Sequence, residues 1–303
     1  VPTYDVAVDE SADNNSHALI VQFVGHDKRV LDVGCATGYL GEVLRRRGCV
    51  VTGIERDPAA LAAAEKVLDE VVAADLETVV LADHFAPESF DVIIFGDVLE
   101  HLTDPERLLR AATALLAPRG YVVISVPNVT HGSVRLALLQ GRWRYTDRGL
   151  LDTTHVRFFT RTSLTTLVRS SGLVEVDVVP TTADALDVEV DVDATALPEG
   201  VLDWVREQPD ADTYQFVVRA VRADADGALE RAQGAAAEAS RRAASLEHEV
   251  AGLAANVGSL ERALEHERAR RDDAEAELRA VYGTRSMRLL ARPRGWWAAA
   301  RRR

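Results

Sequence analysis

Seven short apolar runs punctuate residues 29–222: RVLDVG (29–34), CVVTGIE (49–55), EVVAAD (70–75), FDVIIF (90–95), YVVISVP (121–127), LVEVDVV (173–179) and TYQFVVRAV (213–221). Helical patterns fall between them at 38–47, 58–68, 105–117 and 161–171. Strand–helix alternation of this length leaves few architectures open, and it points to an α/β fold with a doubly wound sheet. The first five runs are nearly continuous apolar stretches, as expected of parallel strands buried on both faces. The last two have no strong helix between them and predict an antiparallel closing hairpin. Residues 128–160 and 181–212 break the alternation, the second with a short helical piece at LDWVRE (202–207). Long insertions beside such a sheet are often functional lids.

The 303 residues suffice for a large domain with an appendage, and 47% hydrophobic content supports a packed core. The net charge of −13 splits into +7 on 285–303 and −20 on the remainder. An acidic body of this kind is unsuited to long nucleic acid, whose phosphates need basic surface. Cys35 and Cys49 form neither a C-x-x-C pair nor a disulfide framework, so a reducing, cytoplasmic setting is expected. No apolar run approaches the ~18 residues of a spanning helix, and no signal peptide is expected. The chain opens on Val1, so a few upstream residues are expected to be missing.

LDVGCATGYL (31–40) ends the first run and opens a helix. Gly34 and Gly38 let the backbone turn tightly and approach a ligand closely. A glycine loop alone is a weak signal, shared by many nucleotide-binding folds. Asp32 and Glu55, at the ends of the first two strands, sharpen it, because a carboxylate there can accept both hydroxyls of a ribose. Asp75, ending the third run, can accept from the exocyclic amine of a purine.

As a set, DVGCATG, GIERD, AADLE, FDVIIFGDVLEHL and LLAPRGYVVISVPN resemble the class I S-adenosylmethionine-dependent methyltransferases over residues 15–222. Their D/E-x-G-x-G-x-G loop matches Asp32, Gly34 and Gly38, with Ala36 at the middle glycine. The resemblance implies a Rossmann-like, seven-stranded methyltransferase sheet that binds S-adenosylmethionine. It implies Asp32, Gly34 and Gly38 around the methionine part, Glu55 at the ribose, Asp75 with Leu76 at the adenine, and Gly96 with the cofactor-binding residues. An NAD-binding Rossmann domain would carry the same loop, but the FGDVLEHL and APRG blocks belong to methyltransferases.

FGDVLEHL (95–102) sets Asp97, Glu100 and His101 at i, i+3 and i+4, one face of a helix if the segment is helical. On the implied fold they border the reaction chamber, and three readings compete. Asp97 could touch the cofactor while Glu100 answers the helix dipole. His101 could be a general base, since imidazole is poised near neutral pH. Or all three could ligate a divalent metal that binds two vicinal substrate hydroxyls. LLDTTHVRFFT (150–160) adds Asp152 and His155. Asp-x-x-Glu-His followed later by His and aromatics resembles the ubiquinone-biosynthesis O-methyltransferases and the small-RNA 3′-end 2′-O-methyltransferases. That resemblance implies Asp97, Glu100, His101 and His155 as ligands of Mg²⁺ or a similar cation, with His155, His101 or Asp97 catalytic. His155 or His101 as a metal-free base stands beside it.

Residues 131–155 interleave Arg135, Arg142, Trp143, Arg144, Tyr145 and Arg148, and together they predict an anionic or sugar-phosphate acceptor. From Ala223 the composition turns to Ala, Glu and Arg. Leu246, Val250, Leu253, Val257, Leu260 and Leu264 recur at heptad spacing, extended back to Leu229 and on to Val281. Glu267 and Arg271 interrupt the seam. The pattern predicts a C-terminal α-helical coiled coil that forms a homo-oligomer, with dimer and trimer both open. The expected divisions are a methyltransferase domain over 1–222, a coiled coil over 223–282 and a basic tail over 283–303.

The tail carries Trp296 and Trp297 and resembles a segment of bacterial methyltransferases from envelope-polysaccharide clusters. That resemblance implies a sugar hydroxyl of an envelope glycan, or of its nucleotide- or lipid-linked precursor, as acceptor. It also implies tail contact with the inner face of a membrane or with a glycosyltransferase. A small-molecule or RNA acceptor is the alternative, as is a non-catalytic scaffold for glycosyltransferases.

Overall fold

The structure, a computed structural model, describes residues 8–283. Seven strands form one sheet: β1 (Arg29–Val33), β2 (Val50–Glu55), β3 (Glu70–Ala73), β4 (Phe90–Gly96), β5 (Leu116–Pro127), β6 (Leu173–Thr182) and β7 (Thr213–Arg222). Their order is β3-β2-β1-β4-β5-β7-β6. The first five are parallel, while β7 runs antiparallel to both β5 and β6. The expected doubly wound seven-stranded sheet is therefore present. β6 and β7 do pair antiparallel, but the long 183–212 segment joins them in place of a hairpin turn.

Helices α1 (Ser16–Val24), α2 (Tyr39–Arg46), α3 (Pro58–Ala64), α4 (Pro105–Thr113), α5 (Gly132–Leu139), α6 (Arg161–Ser170) and α7 (Val201–Arg206) flank the sheet and its insertions. Local chemistry starts them. Asp57 and Asp104 accept from the first-turn amides of α3 and α4, each followed by proline at the first helical position. Thr160 and Ser163 form a reciprocal capping box on α6. Among the described residues two large apolar clusters pack the sheet, one built around Phe95 and Phe216 and one joining α1 and α2 to it, while two smaller ones lie under the insertions, around Leu150 and around Leu136.

Three expectations need correction. Residues 97–101 do not form an α-helix; only a 3-10 turn spans Leu99–His101. The helix expected over 105–117 ends at Thr113, because Leu116 already pairs with Phe90 in the sheet. Helices α1 and α5 were not expected, and both carry apolar residues on most faces.

The chain divides into two compact units between Ala236 and Ala237. Helix α8 (Ala225–Gly283) begins just past the composition change at Ala223 and is one continuous helix. Its large apolar side chains, Leu246 through Leu264 with Leu278 and Val281, are all more than half exposed. Among the described residues no helix is long and apolar enough to cross a membrane. The Trp-containing tail lies outside the described residues.

Candidate active site

Parallel order reverses at β1, whose neighbours are β2 and β4, and a ligand crevice opens where such strands end. Asp32 stands at that end of β1, Glu55 closes β2, and Asp97 follows β4. The loop between them turns through left-handed backbone at Gly34, Ala36 and Gly38 (φ +77°, +48° and +81°). A side chain at Gly34 would lie 2.9 Å from Val98 Cγ2, and one at Gly38 would lie 2.7 Å from Val67 Cγ2. Both glycines are thus required by conformation and by space. Leu76 Cδ1 would lie 3.7 Å from the same side chain at Gly34. A Cβ at Gly96 would meet only ordinary contacts, so glycine is not sterically demanded there.

Glu55 ties the loop down. Its carboxylate accepts from the Ala36 amide at 3.0 Å and from the Arg56 and Asp57 amides at 2.7 Å. Asp32 is buried, and desolvation, with the nearby Glu55 charge, pushes its carboxyl up to about 7. A desolvated acid of this kind is suited to a cationic ligand group. Asp75 accepts from the Glu77 amide, with the Arg56 guanidinium 3.4 Å from its other oxygen. Arg107 of α4 donates to the Leu76, Glu77 and Val79 carbonyls and holds the loop after β3.

Asp97 adopts φ +54°, a left-handed conformation unusual for a residue with a side chain. Its Oδ1 accepts from Ser125 Oγ at 2.7 Å and from Gln215 Nε2 at 2.9 Å. Its amide in turn reaches the Ser125 hydroxyl oxygen at 3.0 Å. Burial holds His17 below the ordinary imidazole range, opposed by the Asp97 charge, and the His17 ring meets the Tyr39 hydroxyl at 3.0 Å.

Glu100, His101 and His155 come together, each offering a ligand atom within 4.8 Å of the other two. The link is backbone pairing: the Glu100 carbonyl accepts from both the Val156 and Arg157 amides at 2.9 Å, which seats the insertion on the 3-10 turn. His101 Nδ1 lies 3.2 Å from both the carbonyl and the hydroxyl oxygen of Thr154, which turns the ring's Nε2 away from that residue. Burial, then the neighbouring His101, lowers the pKa of His155 and keeps it neutral. Glu100 is fully desolvated and its carboxyl is raised well above the ordinary range, helped by Asp97 and Asp152. Two buried atoms lack any partner among the described residues: Glu100 Oε2 and His155 Nδ1.

Of the expected ligands, Asp97 is not part of this group, because Ser125 and Gln215 hold its carboxylate. Asp152 is a turn-former, accepting from the amide and hydroxyl of Thr154. The arginines of the insertion are mostly engaged. Arg142 faces Asp191 and Asp193, Arg144 pairs with Asp191, and Arg135 donates to the Thr130 and Pro209 carbonyls. The acidic 181–212 segment thus compensates two arginines of the expected basic patch, Arg142 and Arg144. Trp143 packs edge-on against Tyr145 and Phe158, and Phe158 against His155.

Ser125, Gln215, His17 and Thr154 were not singled out from the sequence. The first two could have been noticed as polar residues inside the apolar runs YVVISVP and TYQFVVRAV.

A family of methyltransferase domains matches residues 14–178, more than half of the chain. The ubiquinone biosynthesis O-methyltransferase of Pseudomonas fluorescens is 33% identical over 165 residues, covering 52% of this chain and 70% of that protein. Its counterpart in Aeromonas salmonicida is 31% identical over 151 residues, covering 48% of this chain and 63% of that protein. The chain thus spans somewhat under or over two thirds of the curated relatives it matches. A solved S-adenosylmethionine-dependent methyltransferase from Archaeoglobus fulgidus is 18% identical, with a TM-score of 0.49, covering 67% of this chain and 91% of that one. With the domain match extending from α1 into β6 across the glycine loop and the strand ends described above, the chain belongs to the class I S-adenosylmethionine-dependent methyltransferases.

Proposed function

We propose that this chain transfers a methyl group from S-adenosylmethionine to an acceptor hydroxyl, at a site where Glu100, His101 and His155 hold a divalent cation. The observation that carries this reading is the pair of buried, unpartnered atoms, Glu100 Oε2 and His155 Nδ1, in one three-ligand cluster. Leaving such atoms unpaired costs about 1–3 kcal/mol each, and a cation held by this cluster would give the buried Glu100 carboxylate a partner. One carboxylate and two neutral imidazoles suit Mg²⁺, Mn²⁺, Fe²⁺ or Zn²⁺. A bound cation would lower the pKa of a coordinated hydroxyl.

Asp32 would neutralise the ammonium group of the cofactor, Glu55 would accept from its ribose and Asp75 from its adenine amine. The bound cofactor supplies a methyl carbon on a positive sulfur. Gly34 and Gly38 supply the left-handed turns that bring the loop backbone to the cofactor, with Val98 and Leu76 packed near Gly34. Thr154 holds the His101 ring at Nδ1, and Ser125 and Gln215 fix Asp97 beside the acceptor space.

The acceptor proposed is a sugar hydroxyl of an envelope glycan or its nucleotide- or lipid-linked precursor. The half-exposed rings of Trp143 and Tyr145, linked through Phe158 to His155, support it, because sugars stack on such faces. A second reading, favoured by the names of the relatives, is an acceptor in ubiquinone biosynthesis. Labelled methyl transfer to nucleotide sugars, glycan fragments and a simple catechol, with and without chelator, tests both. Transfer to the catechol alone would discard the sugar; transfer unaffected by chelation would discard the cation.

A further inference from the structure

The feature left unused by the site is the second unit, where α8 exposes an apolar stripe along its length. Among its large side chains, Leu246, Leu253 and Leu260 alternate with Val250, Val257 and Leu264 at heptad spacing, and each is more than half exposed. A helix of 59 residues, about 90 Å long at 1.5 Å per residue, gains little stability in isolation and needs its apolar stripe covered. We propose that the occupant is a second copy of this chain, wound parallel and in register as a two-stranded coiled coil.

Three observations choose this arrangement. Starting the heptad at Val250 puts Val250, Val257 and Leu264 at a and Leu246, Leu253 and Leu260 at d. Branched valine at a with leucine at d favours two strands over three. Position g of one helix then faces position e of the next heptad in the other. In parallel register this sets Arg242 against Glu247 of the second copy and Arg270 against Glu275 of the second copy, with no like-charge pair. The antiparallel alignment that matches Leu246–Leu264 to itself instead sets Glu247 against Glu261 and Arg242 against Arg270.

The third observation concerns the interruption of the seam. Glu267 falls at d and Arg271 at the following a, so a parallel pair sets Glu267 against Glu267 of the other copy and Arg271 against Arg271 of the other copy in successive layers, and the opposite charge in the adjacent layer is what offsets each like-charge layer. Within one chain Glu267 pairs with Arg270, and Arg271 with Asp272 and Glu275, all exposed contacts that rearrange at little cost. The antiparallel alignment strands Glu267 and Arg271 opposite Ala243 and Ala239, with no opposite charge across the seam. Of the two alignments only the parallel one gives Glu267 an opposite charge across the seam, Arg271 of the adjacent layer, and that contact is the register key.

The test uses the full chain. Sedimentation equilibrium at micromolar concentration should give twice the 33.0 kDa chain mass; a monomer or a trimer overturns the proposal. Under mild oxidation, Leu246→Cys and Leu264→Cys should each crosslink to itself, with Cys35 and Cys49 buried and silent. Crosslinking only when the two variants are mixed would establish the antiparallel pair and overturn this one. Glu267→Arg should raise the dimer Kd roughly tenfold or more, and adding Arg271→Glu should restore it. Far-UV circular dichroism of each variant separates lost pairing from lost helix. An unchanged Kd in Glu267→Arg, with helix intact, overturns the register key.

Discussion

The rings of His101 and His155 meet edge to face with centroids 4.9 Å apart, although one follows the fourth strand and the other lies deep in the insertion. Their approach, with Glu100 alongside, makes divalent-cation binding the first thing to measure. Titration calorimetry with Mg²⁺, Mn²⁺ and Zn²⁺ should find one site per chain. Glu100→Gln and His155→Ala should each weaken it more than the roughly 10–100-fold typical of an outer-shell change. If neither cation binding nor activity responds to chelation while His155→Ala abolishes transfer, His155 is a base without a metal.

Cation binding should also displace protons. The Glu100 carboxyl is raised by burial, so it retains its proton above the ordinary glutamate range, whereas His155 is lowered and already neutral. Affinity should therefore rise with pH as Glu100 ionises. Calorimetry in buffers of differing ionisation enthalpy would count the protons released; none released would contradict a protonated Glu100.

Asp32 predicts a pH-dependent stability of the ligand-free protein. Burial pushes its carboxyl in the folded chain up to about 7, far above the ordinary aspartate range. The contribution is complete below the unfolded value and is lost as pH rises through about 7, levelling off above. The upper bound is about 4 kcal/mol, at 1.36 kcal/mol per pKa unit. Asp32→Asn should flatten that slope in urea denaturation while abolishing cofactor binding. A variant with the same slope would point to other groups.

Glu55→Ala should weaken S-adenosylmethionine binding and also lower stability by about 1–3 kcal/mol, because three backbone amides lose their acceptor. Thermal denaturation and calorimetry should move together. Lost binding with unchanged stability would mean that the loop does not depend on Glu55.

Ser125→Ala should cost about 1.5–3 kcal/mol, the range for a hydrogen bond to a charged group, since Ser125 is buried against Asp97. Methyl transfer should fall with it if Asp97 borders the acceptor. Full activity with lowered stability would assign the Ser125–Asp97 pair to structure alone.

Much of the scaffold is legible in the chain because its signals are local. Continuous apolar runs mark β1, β2, β4 and β5, and Asp57-Pro58 and Asp104-Pro105 mark helix starts. The requirement for glycine at 34 and 38 follows from one tight turn. Boundaries slipped where local pattern competes with pairing: Leu116 continues the helical spacing of α4 but bonds to β4. Helix α1 was invisible because SHALIVQFV, apolar on most faces, has no clean 3.6-residue period.

The site divides along the same line. By itself the sequence determined the residue types at the strand ends, the order in which they occur and the heptad stripe of α8, because each depends on neighbours a few positions away. Only the tertiary structure decided that Glu100 and His101 face His155 while Asp97 turns to Ser125 and Gln215. It alone set Asp191 and Asp193 against the arginines of the insertion. Those partners are far apart along the chain, and the bonds that join them exist only after the sheet has closed and the insertion has docked on the Glu100 carbonyl.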